Sequence, residues 1–478
     1  MRRKNYMLRL WLLLLVVALA TVALYFLPEQ VGSWQIKKVD LLSDLRVEDD
    51  SSQTELARQS MLSADFMERR RKQSERQPQE EAGFPVRDSL AMRDSVYQHL
   101  RKQNPSDSTL ALFEDYSPSH TGLKRLFSSL RSGSSLGRPV RIAVLGDSFI
   151  EGDIFTAHLR KMLQRKYGGG GVGWMPITSQ VAGFRSTISH QFSGWKTMNM
   201  LHSKGKHNLS GYYFLPQQGG SSVSYKLPGD SSSIHMATRI SLYYQAERGS
   251  TVSLKTVGDS TVVVDLRPTE GGVGEYRWQG NTKRVRLSVP ASDGLSILGM
   301  SLEHSDGISV DNFSLRGNSG LALSKIDVAT SSSLCSLRPY DLIVLQYGLN
   351  VANAKQLNYD NYYKQMLSVV AHLRKCFPGS DIMLMGVSDR AQRSTEGFVT
   401  MPAIHRLLAA QRRIAMDSGI VFWNTFLAMG GDGSMVRMVA QGQAAKDYTH
   451  ISFAGGKKIA EAFVRAFELE KKYYDAIE

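Results

Sequence analysis

The chain is poor in cysteine, with only Cys335 and Cys376 among 478 residues. Two thiols cannot make a disulfide-stapled scaffold or a multi-cysteine zinc or iron–sulfur centre. Each lies a few residues before a predicted parallel strand. Two separate buried thiols are expected, with one Cys335–Cys376 bridge as the alternative, and nothing around either suggests a nucleophile or metal ligand. A dense basic run and a nucleic-acid motif are also missing. The formal charge of +14 is spread along the chain, which permits attraction to phospholipid or acidic cell-wall polymer and gives no reason to expect nucleic acid as a partner. Nor is there a phosphate loop: the glycines 168–171 follow a helical segment instead of preceding one, and no Gly-Lys-Ser/Thr occurs, so no nucleotide is expected. No internal repeat is present, and no cluster of residues calls for a metal or any other cofactor.

Apolar runs long enough to span a bilayer are limited to one. Residues 10–27 are unbroken by charge and end at Pro28-Glu29-Gln30. As a helix that run is roughly 27 Å long, close to the hydrocarbon thickness of a membrane. Arg2, Arg3, Lys4 and Arg9 precede it, which predicts a cytoplasmic N-terminus over 1–9 and everything after residue 27 outside. The expected location is therefore the inner (cytoplasmic) membrane, crossed once, with the rest of the chain in the periplasm or outside the cell. A cleavable signal peptide ending near Ala18-Leu19-Ala20 is the alternative; apolar character continuing past that point favours a retained anchor. Export follows either way.

What is present is ordinary globular composition, 42% hydrophobic and 21% charged, on a chain long enough for two or three domains. Residues 28–135 are polar and weakly periodic, and read as a linker or partly helical stalk with helices near 92–100 and 123–130. From 142 the pattern changes to short β-branched runs alternating with helices: strands at 142–145, 307–315, 341–346, 381–386 and 420–423, and helices at 156–167, through Tyr363, Met366, Val370 and Leu373, from Thr400 as N-cap to Gly419 as C-cap, and from 452 onward. That alternation predicts an α/β fold, a doubly wound parallel sheet of flavodoxin-like type. Between its first and second strands, residues 185–303 carry short alternating strands separated by Gly, Asp, Asn and Pro, the pattern of a β-sandwich or jelly roll. Trp195, Tyr212, Tyr213 and Trp278 in this insertion are either core aromatics or, on a shared exposed face, a platform for sugar rings.

Gly146-Asp147-Ser148 closes the first strand of the sheet, where open α/β sheets place ligands and nucleophiles. Taken alone the tripeptide reads as a turn. A serine nucleophile needs a base, itself held in one tautomer by a third group. Asp447-Tyr448-Thr449-His450 supplies a carboxylate and an imidazole at a spacing that lets Asp447 reach one ring nitrogen while the other faces Ser148. The developing oxyanion needs donors. The backbone N–H groups of Ser148 and Gly317 and the side chain of Asn350, each just past a strand end, are placed to supply them.

These blocks, Gly146-Asp147-Ser148, Gly317, Gly348-Leu349-Asn350 and Asp447-Tyr448-Thr449-His450, resemble those of the SGNH (GDSL-type) hydrolase superfamily over 136–184 and 304–478. The resemblance implies a catalytic triad of Ser148, His450 and Asp447 and an oxyanion hole from Ser148, Gly317 and Asn350. Within the superfamily, the run from Gly146 through Asp153 and the Gly-rich stretch to Trp174 are similar to bacterial peptidoglycan O-acetylesterases, which carry a β-sandwich resembling a carbohydrate-binding module in the same place. The chain departs from that pattern at Phe149, where a histidine is frequent, and at Val351, where an acidic residue is usual. The implied function is a serine esterase removing O-acetyl groups from a cell-envelope glycan, with Asp147, Asp153, Phe149, Trp195 and Trp278 as candidate substrate-binding residues. An O-acetyltransferase using the same triad and a non-catalytic glycan-binding protein are the alternatives.

Overall fold

In the computed structural model of the chain, the described residues are 111–229, 235–256, 261–290, 294–395 and 397–477, with 30–31, 34–35 and residue 95. The chain divides into two units, Met1–Gly83 and Phe84–Glu478. Of the first, the antiparallel pairing of Gln30–Val31 with Trp34–Gln35 is described. The apolar run 10–27 lies outside the described residues, as does the helix expected over 92–100 apart from helical Ser95. Among the described residues no helix is long and apolar enough to cross a membrane.

The second unit begins with strand β1 (Phe113–Asp115), helix α1 (Lys124–Ser132), strand β2 (Val140–Gly146) and helix α2 (Thr156–Tyr167). Every residue of β2 is buried, as its continuous apolar run requires of a central parallel strand. A β insertion follows, with β3 (Gly171–Met175), β4 (Ser189–Ser193), β5 (Trp195–Asn199), β6 (Tyr212–Pro216), β7 (Ser221–Lys226) and β8 (Ala237–Ala246). It continues through β9 (Ser250–Lys255), β10 (Thr261–Leu266), β11 (Gly274–Thr282), β12 (Arg284–Val289) and β13 (Leu295–Glu303). The α/β pattern then resumes with β14 (Ile308–Ser314), α3 (Val328–Leu337), β15 (Leu342–Gln346), α4 (Asp360–Cys376) and β16 (Asp381–Met385). A small hairpin, β17 (Ala391–Ser394) and β18 (Gly397–Thr400), precedes α5 (Pro402–Ser418) and β19 (Val421–Trp423). Short helices α6 (Thr425–Met429) and α7 (Ser434–Ala440) lead to the long closing helix α8 (Phe453–Ile477).

The main sheet has the order β14-β2-β15-β16-β19-β1 and is parallel except for β1, which pairs antiparallel with β19 at the edge. Helix α2 packs on α8, and α4 packs on both α3 and α5, the two helix groups of a doubly wound sheet. The register aligns Gly146 with Ser314 on one side and Gln346 on the other, so three strands end together and send their loops to one rim. Here the fold starts earlier than the expected boundary at 136. Ala111, Phe113, Leu123, Leu126 and Phe127 are buried in the α/β core. A three-residue strand inside a polar stretch carries no readable period.

The insertion forms two antiparallel sheets, ordered β11-β8-β13-β6-β5 (with β3 paired to β13) and β10-β9-β12-β7-β4. Phe214, Val223, Leu254, Val285, Leu287 and Ile297 fill the space between them. β7 and β12 alternate buried and open positions, as a half-covered strand should. β8 and β13 are buried on both faces because Trp174, Tyr243 and Leu298 turn the other way and join the α/β core. Strand β3 precedes residue 185, where alternation was first readable; Gly171 pairs with Glu303, so the insertion's first and last strands lie side by side. Both cysteines are free thiols.

Candidate active site

Ser148 sits two residues past the end of β2. The turn is tight: a Cβ on Gly146 would come within 2.9 Å of the Gln346 carbonyl oxygen and the Ile150 side chain. Ser148 Oγ lies 3.0 Å from His450 Nε2, and His450 Nδ1 lies 2.7 Å from Asp447 Oδ2. The other oxygen, Oδ1, accepts the backbone N–H groups of Thr449 and His450 at 2.9 and 3.0 Å. Burial pushes the Asp447 carboxyl up, but those N–H groups and the imidazole outweigh it and hold the pKa below the usual range. Residues 302 positions apart in sequence thus form one hydrogen-bonded chain, open to solvent.

The loops after β14 and β15 frame the serine. Leu315 N–H donates to the Gly146 carbonyl at 2.9 Å, and Asn318 N–H donates to the Leu315 carbonyl at 3.1 Å. With Gly317 at φ 78° in its third position, 315–318 has the form of a type II turn, which favours glycine there. Among the described residues the N–H groups of Ser148 and Gly317 make no hydrogen bond. Arg316 Nε pairs with Glu151 Oε2 at 2.9 Å, linking this turn to the serine loop. Asn350 Nδ2 donates to Asp147 Oδ2 at 2.9 Å and to the Asn318 carbonyl at 3.1 Å, so one amide ties three strand ends together. Asp147 is fully buried and also accepts Phe149 N–H at 2.9 Å. Burial pushes its carboxyl up to about 6, against the opposing pull of the Phe149 N–H, His450 and Asn350.

Other candidate residues are placed differently from expectation. Asp153 is 1% exposed and cannot meet a substrate: Arg160 Nη1, Arg185 Nε, Thr156 Oγ1 and Thr187 Oγ1 donate to its carboxylate at 2.6 to 3.0 Å. Phe149 is 0% exposed and packs in the α/β core with its neighbour Ile150, so it cannot meet a substrate. Trp195 and Trp278 lie on β5 and β11, the opposite edges of the six-stranded sheet, and both pack partly buried against the sandwich core. They form no common platform. Asp147 faces inward and hydrogen-bonds to the site through Asn350.

One contributor carried no sequence signal. The β17–β18 hairpin lies on the Asp447–His450 loop: Ala391 N–H donates to the Tyr448 carbonyl at 3.0 Å, and Phe398 stacks on Tyr448 with centroids 3.8 Å apart. Tyr448 itself has φ 56°. No group of three His, Cys, Asp or Glu residues among those described is arranged to hold a metal.

One solved structure, of a peptidoglycan O-acetylesterase, matches 75% of this chain and 99% of its own, with a TM-score of 0.61 and 24% identity. The two proteins share a fold. A lipase/acylhydrolase from Enterococcus faecalis (14% identity, 34% of this chain and 76% of that one) and a family two carbohydrate esterase from Cellvibrio japonicus (10%, 60% and 99%) have TM-scores of 0.26 and 0.25. No protein-family model matches the sequence, and no curated protein does either.

Proposed function

We propose that the protein is a serine esterase that removes O-acetyl groups from a cell-envelope glycan. The observation that carries this reading is the chain Ser148 Oγ–His450–Asp447, with separations of 3.0 and 2.7 Å. These are the distances at which a base relieves a serine of its proton as the hydroxyl attacks an ester carbonyl. The shared fold supports a glycan ester as substrate.

Ser148 attacks the acetyl carbonyl and its proton passes to His450 Nε2. The oxyanion meets the N–H groups of Ser148 and Gly317, which have no other partner among the described residues. Asn350 completes the hole by turning one amide hydrogen from the Asn318 carbonyl while Asp147 keeps the other. His450 then protonates the departing sugar oxygen. Water, deprotonated by the same imidazole, releases acetate from the acyl-serine. Asp447 stabilises the imidazolium throughout. We also propose that residues 10–27 anchor this domain on the outer side of the cytoplasmic membrane, from the basic residues that precede that run.

The test is acetate release from O-acetylated envelope polymers by the wild type and Ser148→Ala. The variant should fall to background, a loss on the order of 10⁴-fold or more in kcat. Turnover retained in Ser148→Ala would sink the mechanism.

A further inference from the structure

Beside Asn350 lies a cleft of about 620 Å³, within the size range of small-ligand sites. Its wall is unusual in composition: Asn350, Asn353, Gln356, Asn361 and Gln365 line it, with Arg390 as its one ionisable cation. A primary amide offers two donors and an acceptor, which matches the paired donor and acceptor character of sugar hydroxyls. Asn350 belongs to both the cleft and the candidate active site, so the two adjoin through that side chain.

Arg390 gives the cleft its selectivity. Its Nη1 donates to the carbonyls of Leu349 and Ala352 at 3.4 and 3.2 Å, which seats the guanidinium on the loop that carries Asn350. These contacts use one nitrogen of a group with five N–H donors. Among the described residues it has no carboxylate partner. The adjacent Asp389 is fully buried and turned away, accepting Ser434 Oγ and Met435 N–H at 3.1 and 2.7 Å. A half-buried cation without a counter-charge in a concave wall concentrates anions there. Neutral glycans offer it hydroxyl acceptors but no counter-charge.

We propose that this cleft is a saccharide subsite for an acidic glycan, with the amides holding sugar hydroxyls and Arg390 a carboxylate near the acetylated residue. The proposal rests on the esterase reading above and specifies its substrate class. Two kinds of polymer supply such a carboxylate: a uronic-acid chain, and a muramyl glycan stripped of peptide, whose lactyl ether ends in one.

The experiment measures acetate release by the full chain from both O-acetylated polymers, each compared with the same polymer after its carboxylates are amidated. On at least one of them, wild-type kcat/KM should be about 10- to 100-fold higher for the carboxylate form, the range for a hydrogen bond to a charged group. The preference should shrink as salt is raised. Arg390→Gln should erase it. Arg390→Lys, which keeps the charge but loses the Nη1 contacts to the loop carbonyls, should retain much of it. Gln365→Leu should raise KM on charged and amidated forms alike and leave their ratio intact. Equal rates on charged and amidated polymer, or a preference that survives Arg390→Gln, overturn the subsite alone. Loss of the preference in Arg390→Lys as complete as in Arg390→Gln also overturns it, because the arginine would then act by bracing the loop. If the wild type cleaves a small chromogenic acetate but neither polymer in any form, the glycan reading fails and the subsite with it.

Discussion

Replacing Phe398 by alanine should slow catalysis without touching a reacting group. Tyr448 lies between Asp447 and His450 and has φ 56°, a region that costs a bulky residue about 1–3 kcal/mol. Three contacts oppose that strain: the Tyr448 N–H to the Ala445 carbonyl at 3.1 Å, the Ala391 N–H to the Tyr448 carbonyl at 3.0 Å, and the Phe398 ring at 3.8 Å and 11°. Phe398 is already 42% exposed, so its removal leaves no sealed cavity. The loss is the stack itself, about 0.5–1.5 kcal/mol, plus part of the ring's burial, roughly another 1 kcal/mol. That sum is comparable with the strain, so the loop should relax and the population with His450 Nε2 facing Ser148 should fall. A change of ~1.4 kcal/mol is tenfold in that population, and kcat on a chromogenic acetate should drop by about 3- to 30-fold. KM for so small an ester should hardly move, and the thermal midpoint should fall by only a few degrees, on the order of 2–4 °C. Phe398→Tyr, which keeps the stack, should restore kcat. A Phe398→Ala enzyme with kcat within a factor of about two of wild type would refute the reasoning.

Two further predictions concern a half-buried and a fully buried carboxyl whose pKa values are shifted in opposite directions. Asp381 accepts the Leu126 N–H at 2.9 Å at the start of α1. Burial pushes its carboxyl up to about 8; the Leu126 N–H opposes this, and nearby Asp341 and Asp115 add to it. Its folded pKa is raised, so the folded state binds more protons and stability falls as pH climbs from the unfolded value near 3.8 towards about 8. Asp381→Asn keeps the acceptor and drops the charge; it should stabilise the protein by roughly 2–5 kcal/mol at pH 9 and by little at pH 4, read from urea midpoints. Asp153 is the converse: burial opposes its charge, but Arg160 and Arg185 hold its carboxyl far below the usual range. Its contribution is present above the ordinary carboxylate pKa and is lost only in strong acid. Asp153→Asn should cost about 3–5 kcal/mol at neutral pH by leaving two buried guanidinium groups undercompensated, and unchanged thermal stability would contradict that.

Legibility followed the range of the interactions. Strands β2, β15 and β16 are continuous apolar runs buried on both faces, and they can be read from a few consecutive residues. Asp447 and His450 are readable because the contact between them is local. Ser148 became readable only when a base and strand-end donors could be named for it. Asp153 shows the opposite case. A carboxylate five residues past the candidate nucleophile invites a substrate role, and what buries it includes Arg185 and Thr187 from the start of the insertion. Phe149 has the same lesson in one residue: it follows the candidate nucleophile in sequence, yet it is buried in the α/β core. The hairpin that holds Tyr448 was invisible because four-residue strands are too short to show a period, and its contacts are with a loop some fifty residues away.

The insertion raises a structural problem that the same buried chemistry resolves. It separates β2 from β14, which are neighbours in the sheet and carry Ser148 and Gly317 on their ends. A slip of one residue between them would turn every side chain to the wrong face and separate Ser148 from Gly317. Four charges at the junction oppose such a slip. Arg141 on β2 donates from Nη2 to Glu303 at 2.7 Å; Arg338 donates from Nη2 to Glu303 and to Asp311 on β14, both at 2.8 Å. All four residues are buried, and two cations balance two anions. Such a network adds little net stability over apolar packing, but any register that strands one member costs about 3–5 kcal/mol. Glu303 is also the residue at which the insertion's last strand pairs with Gly171 of its first, and Trp174 N–H donates to Asp311 at 2.9 Å. The insertion therefore enters and leaves beside one buried charge network tied to the strands that lead to Ser148 and Gly317. A sandwich of this size hangs from the sheet without loosening a site whose geometry must hold to within about 1 Å.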